Sequence, residues 1–97
     1  MGLVNSQSYL IEKEDIENFK FPKEEVLKDK LSINKRMKTI LKGLKLGNKF
    51  KNKVHIYFED SISLKKVETT IWGVTENYLI LKSNMLIPIR RVHSINF

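Results

Sequence analysis

The chain has no cysteine, which excludes disulfide scaffolding, thiol nucleophiles and zinc–thiolate sites together. Its four glycines, at positions 2, 43, 47 and 73, are isolated and form no phosphate-cradling loop. No apolar run approaches the roughly 20 residues that a membrane span requires. The opening residues, Met1-Gly2-Leu3-Val4-Asn5, lack the paired basic and apolar regions of a secretory signal, so a cytoplasmic location is expected. The two histidines, His55 and His93, show no ligand spacing towards Glu59, Asp60 or Glu68, and neither a metal nor a cofactor is expected. Ser61, His55 and Asp60 could be written as a triad. One strand and its turn rarely bring three such groups into line, so an enzyme is not expected.

What the chain does have is positive charge, at +7 over 97 residues. Its distribution says more than its sum. Residues 1–19 carry −3, residues 20–34 carry +1 and residues 54–97 carry +1. The stretch between them, residues 35–53, carries Lys35, Arg36, Lys38, Lys42, Lys45, Lys49, Lys51 and Lys53 without a single acid, a local charge of +8. Like charges at this density repel one another, and a polyanion or a counterion atmosphere relieves the repulsion. The run is therefore either a solubilising face or a polyanion-binding one.

Hydrophobic spacing divides the chain into two parts. Residues 1–21 hold too few apolar side chains for a core of their own and read as a flexible acidic arm. Tyr9, Ile11, Ile16, Phe19 and Phe21 within it suit either docking on a partner or packing back onto this chain. Residues 22–97 read as a single domain. Pro22 is placed to open a helix, with Glu24 and Glu25 near its positive end. Val26, Ile33, Met37, Ile40 and Leu44 recur at helical steps, and Gly47-Asn48 is a C-terminal stop. Ser32 or Asn34 could cap a second helix if the stretch divides.

From Val54 the period changes to two. Strands are expected at Val54–Glu59, from about Lys65 to Val74 with a bend at Gly73, at Tyr78–Lys82, at Met85–Arg90 and at Ser94–Phe97. Pro88 implies an edge position for the fourth strand or a gap in its ladder, and Arg91-Val92-His93 suits one 3₁₀ turn. The expected fold is mostly β, a five-stranded antiparallel small barrel preceded by a basic α-helix and the acidic arm.

This pattern resembles the Sm-like branch of the small SH3-type barrels over roughly residues 34–97. The resembling stretches are the basic helix to Gly47, Ile71-Trp72-Gly73-Val74-Thr75-Glu76-Asn77-Tyr78-Leu79-Ile80-Leu81, and the closing Ile87-Pro88-Ile89-Arg90-Arg91-Val92-His93-Ser94-Ile95. Glu76 and Asn77 echo the family's aspartate–asparagine turn in part. Arg90-Arg91 stands where the family has an arginine–glycine pair. The C-terminal half also resembles small uncharacterised bacterial proteins with Thr-Thr-Ile-Trp and Ile-Pro-Ile segments.

The function expected from these features is non-enzymatic binding of RNA, or of another polyanion, alone or within a ribonucleoprotein such as the ribosome. Lys35, Lys38, Lys42, Lys45 and Lys49 lie at alternating steps of three and four, so a helix lines them up along one side. Arg36, Lys51 and Lys53 extend that basic surface, and Arg90 and Arg91 are expected as secondary contacts. Tyr57, Trp72 and Tyr78 offer aromatic surface, with Trp72 and Tyr78 expected in the core and the two arginines more exposed. The alternative is a protein–protein adaptor or accessory subunit docking through Tyr9, Ile11, Ile16, Phe19 and Phe21. A membrane surface is not an expected partner, because the apolar stripe of the helix is needed for the core. Homo-oligomerisation stays open.

Overall fold

The computed structural model describes residues 9–97, with the side chain of Tyr9 outside that description. Helix formation begins later than Pro22 suggests. Residues 22–28 run without helix across the body of the protein, and several of their backbone groups are bonded to distant residues. The Val26 N–H donates to the Arg90 carbonyl at 2.9 Å, and the Pro22 and Glu24 carbonyls accept from Arg90 and Arg91. Asp29 ends this stretch as an N-cap in extended geometry: its carboxylate accepts from the Ser32 N–H at 3.2 Å and from the Ser32 hydroxyl at 2.7 Å. Helix α1 follows, Lys30–Phe50. Ser32 thus serves the cap from inside the helix and divides nothing. The helix runs past Gly47-Asn48 and ends at Lys51, which adopts the left-handed conformation at φ 56°.

The helix lies mid-chain, and the strands do not close into a barrel. Among the described residues the strands are β1 (Tyr9–Ile11), β2 (Val54–Glu59), β3 (Leu64–Thr69), β4 (Ile71–Val74), β5 (Tyr78–Leu81), β6 (Leu86–Pro88) and β7 (Val92–Asn96). They form two sheets, β1-β3-β2-β7 and β4-β5-β6. Two features separate this from five strands in a ring. The expected second strand is two strands in different sheets, broken at Thr70, whose carbonyl turns out of the ladder to accept the Lys82 N–H at 3.0 Å. The arm supplies an extra strand, β1, parallel to β3 with Leu10 opposite Lys66. A three-residue strand is too short to show alternation. The last strand starts earlier than expected, after a 3₁₀ turn at Ile89–Arg91, and pairs with β2. Pro88 does lie on an edge strand, β6, paired only with β5.

One apolar core joins both sheets, the helix and the arm. Phe58, Ile56 and Val67 come from the larger sheet, Leu79, Leu81 and Ile87 from the smaller, Ile40 from α1 and Ile16 from the arm. Phe19 and Phe21 flank Phe58 with ring centroids 6.3 and 6.0 Å away. Against β4 the helix sits closer than a side chain would permit. A Cβ on Gly47 would lie 2.5 Å from the Ile71 carbonyl oxygen, and one on Gly43 would lie 3.0 Å from Ile71 Cδ1. The two glycines, one turn apart, set the depth of the helix on the sheet.

The turn after β2 carries a buried ion pair. Asp60 Oδ1 accepts from the backbone N–H groups of Ile62 and Ser63 and from Lys65 Nζ at 3.0 Å. Burial works against ionisation of Asp60, but the Ser63 N–H, the Lys65 ammonium and the Ile62 N–H outweigh it and hold the carboxyl below its ordinary range. A carboxyl held low in the fold and titrating at about 3.9 when unfolded contributes stability that is fully present above that pH. The contribution is lost as pH falls through the folded value. Urea unfolding followed as a function of pH should therefore show stability dropping steeply below about pH 4. Asp60→Asn should be less stable at neutral pH and show a shallower acid limb; an unchanged limb would contradict this account.

Candidate nucleic-acid interface

The two kinds of basic residue have separate tasks in this fold. Arg36, expected on the basic face, is 6% exposed. Its Nη1 and Nη2 donate to the Glu25 carboxylate at 2.7 and 2.6 Å, and Nη1 also donates to the Val92 carbonyl at 2.9 Å. Burial opposes ionisation of Glu25, but Arg36 and the Leu27 N–H hold its carboxyl below the usual value. Arg91 is equally buried and donates to the carbonyls of Glu59, Glu24 and Asp60. Arg90, half-buried, donates to the Pro22 carbonyl at 3.2 Å. All three arginines of the chain thus tie residues 22–28 to the body, using the fork of donors that lysine lacks. Arg36 and Arg91, expected on a phosphate-binding surface, are instead buried with their Nη groups bonded inside the protein, and Arg90 uses its Nε there.

The lysines point the other way. Lys35, Lys38, Lys42, Lys45 and Lys49 are all exposed. At ~100° per residue they fall within an arc of roughly 80°, over about 21 Å of helix. Arg36, Ile40, Gly43 and Gly47 form the buried face on the opposite side. Among the described residues, none of these five lysines, nor Lys51 or Lys53 beyond the helix, forms an ion pair with a carboxylate. Lys42 Nζ lies 5.0 Å from the centre of the Phe97 ring and Lys49 Nζ 5.5 Å from that of Phe50.

At the C-terminal end of α1 the lysine face meets a groove of ≈ 300 Å³ between the helix end and β4. Gly47 and Asn48 lie on one side and Thr70 and Trp72 on the other; Lys51, Lys53 and Lys82 complete it, and no acidic residue lines it. Trp72 was expected in the core, yet it is 48% exposed. The reason is local. The β4–β5 register shifts between Ile71 and Gly73, so Trp72 is the extra residue of an irregularity and stands clear of the ladder. Tyr78 is also exposed, and Tyr57 is buried beneath Lys66. Relative to the expectation, exposure of the arginines and of Trp72 and Tyr78 is reversed. Lys82 was not singled out in the sequence: it stands alone beyond the basic run, and the pairing of β5 with β4, continued by the Thr70–Lys82 backbone bond, brings it to the helix end.

Four of the five arm residues named as docking candidates, Ile11, Ile16, Phe19 and Phe21, pack on this chain's own core. Ile16 is 2% exposed, and Ile11, Phe19 and Phe21 pack partly buried against the core cluster. The residues before Tyr9 and the Tyr9 side chain lie outside the described part. Among the described residues no group of three or more His, Cys, Asp or Glu side chains is placed to hold a metal. His55 lies beside Glu68, and His93 Nε2 is 2.9 Å from Glu59 Oε1. No described helix is long and apolar enough to cross a membrane.

Comparison of the chain with protein-family models, with curated proteins and with solved structures finds no match. The Sm-like resemblance therefore rests on the quoted segments alone, and the two-sheet topology departs from the closed barrel it implies.

Proposed function

We propose that this chain is a non-enzymatic protein that binds single-stranded RNA along the lysine face of α1. The observation that carries the reading is the row of five exposed lysines, none paired with a carboxylate among the described residues, on the side of the helix opposite its buried face. A row of ammonium groups about 5 Å apart along a helix axis suits a chain of phosphates. Ammonium–phosphate contacts give affinity without reading sequence. An adaptor docking through the arm has less support, because Ile16 lies in the core and Phe19 and Phe21 pack against it.

The test is a salt series with single-stranded RNA, single-stranded DNA and duplex DNA. Five phosphate contacts should give a log–log slope of about −3.5 for a single strand, from roughly −0.7 per contact. Tighter binding of RNA than of either DNA supports the reading. Equal binding of all three makes the face a general polyanion clamp and overturns the choice of RNA. A salt-independent affinity would overturn the phosphate contacts themselves.

A further inference from the structure

We propose that the Trp72 groove is a nucleotide site, in which one base stacks on the Trp72 indole and its phosphate lies among Lys51, Lys53 and Lys82. The proposal deepens the RNA-binding reading and rests on it. Its first support is chemical. An indole half open to solvent, at an irregularity that lifts it from the sheet, is a sequence-tolerant platform for a base. Around it stand three lysines and no carboxylate. That lining suits an anion with a flat apolar face and suits an uncharged ligand or a cation poorly. The volume is at the small end of ligand-sized clefts, enough for one nucleotide and not for a folded element.

The second support is the backbone. The described chain has three non-glycine residues with positive φ, and all belong to this corner: Lys51 lines the groove, and Ser83 and Asn84 follow Lys82. Left-handed backbone disfavours a residue with a Cβ by roughly 1–2 kcal/mol. A glycine would relieve Lys51 at the helix end, yet a lysine stands there and its charge is kept at the groove. The negative end of α1 faces this groove and opposes an anion there. Its carbonyls are partly occupied: the Lys51 N–H donates to Gly47 at 3.0 Å and the Asn52 N–H to Leu46 at 3.5 Å. The groove adjoins the end of the lysine row: Asn48 and Lys51, which border it, flank Lys49, the last of the five, although none of the five lines it. A strand lying along α1 would thus arrive at Trp72 with its next nucleotide.

Trp72 is the one tryptophan of the chain, so its emission reports on this groove alone. The full chain is titrated at low salt with a short oligouridylate and, separately, with inorganic polyphosphate, which has the charge but no bases. The expected result is saturable quenching by oligouridylate, with polyphosphate binding competitively but leaving the emission unchanged. Trp72→Ala should weaken oligouridylate binding about tenfold and leave polyphosphate affinity as it was. Trp72→Phe should restore most of the loss, which separates stacking from a folding defect. Equal quenching by both ligands, or oligouridylate binding with unchanged emission and an unaffected Trp72→Ala variant, would overturn the nucleotide site while leaving the lysine face standing. No binding of either ligand would overturn both.

Discussion

Changing Lys35, Lys38, Lys42, Lys45 and Lys49 together to glutamine should lower affinity for single-stranded RNA by on the order of a hundredfold at low salt. The unfolding temperature should stay close to that of the parent. Glutamine is nearly as good a helix former as lysine, and these five side chains lie on the exposed side of α1, away from Ile40, Gly43 and Gly47. Removing like charges three and four residues apart relieves a repulsion of a few tenths of a kcal/mol per pair, so the helix loses nothing by the exchange. Binding isotherms over a salt series carry the decisive signal. The slope of the variant should flatten by about 3.5, since each lost contact removes roughly 0.7. Parent-like affinity and slope would show that phosphate is held elsewhere.

Arg36→Ala should do the opposite: it should cost about 3 kcal/mol of stability, or roughly 15 °C in unfolding temperature for a chain of this size. The guanidinium is almost wholly buried and bonds the Glu25 carboxylate twice and the Val92 carbonyl once. Truncation leaves a cavity beneath α1 and an unpaired carbonyl at the start of β7. Glu25 retains partial access to water, which keeps the loss at the lower end of the range for a broken buried pair. Adding Glu25→Gln to the Arg36→Ala variant should recover a part, because an unpaired carboxylate is removed. Thermal unfolding checks both. A stability equal to the parent would mean that residues 22–28 are held by Arg90 and Arg91 alone. Any reduction of binding measured on an Arg36 variant would report folding, so Arg36 belongs outside the set changed to test the lysine face.

Much of the local structure was legible in the residues. Period-two alternation from Val54 located β2, the turn Thr75-Glu76-Asn77 located the start of β5, and helical steps through Met37, Ile40 and Leu44 located the body of α1. The helix start was not, because Pro22, Glu24 and Glu25 have the composition of a first turn while the Pro22 and Glu24 carbonyls are engaged by arginines 68 residues or so further on. The division of the long strand was not legible either. Gly73 drew attention to itself as the bend, while the break falls at Thr70, where a carbonyl meets the Lys82 N–H across the sheet. At the candidate site the five helix lysines were readable as a row from their spacing alone. Trp72 and Lys82 became part of it only through the irregularity in β4–β5 and the fold of the chain around Thr70.

What depends on neighbours a few residues apart could be read from the amino-acid sequence: a helix with one basic side, short strands and a charge excess concentrated in residues 35–53. Which basic groups are available depends instead on contacts between segments far apart in the chain. Arginine and lysine carry the same charge in any count, but three long-range pairings bury or engage the arginines, and the close approach of α1 to β4 at Gly47 leaves the lysines outside. The tertiary structure also decided the number of sheets and the fate of the arm, whose Ile16, Phe19 and Phe21 fill space against Phe58. Burial is a property of contacts between segments distant in the chain, and no periodicity within a segment encodes its partner.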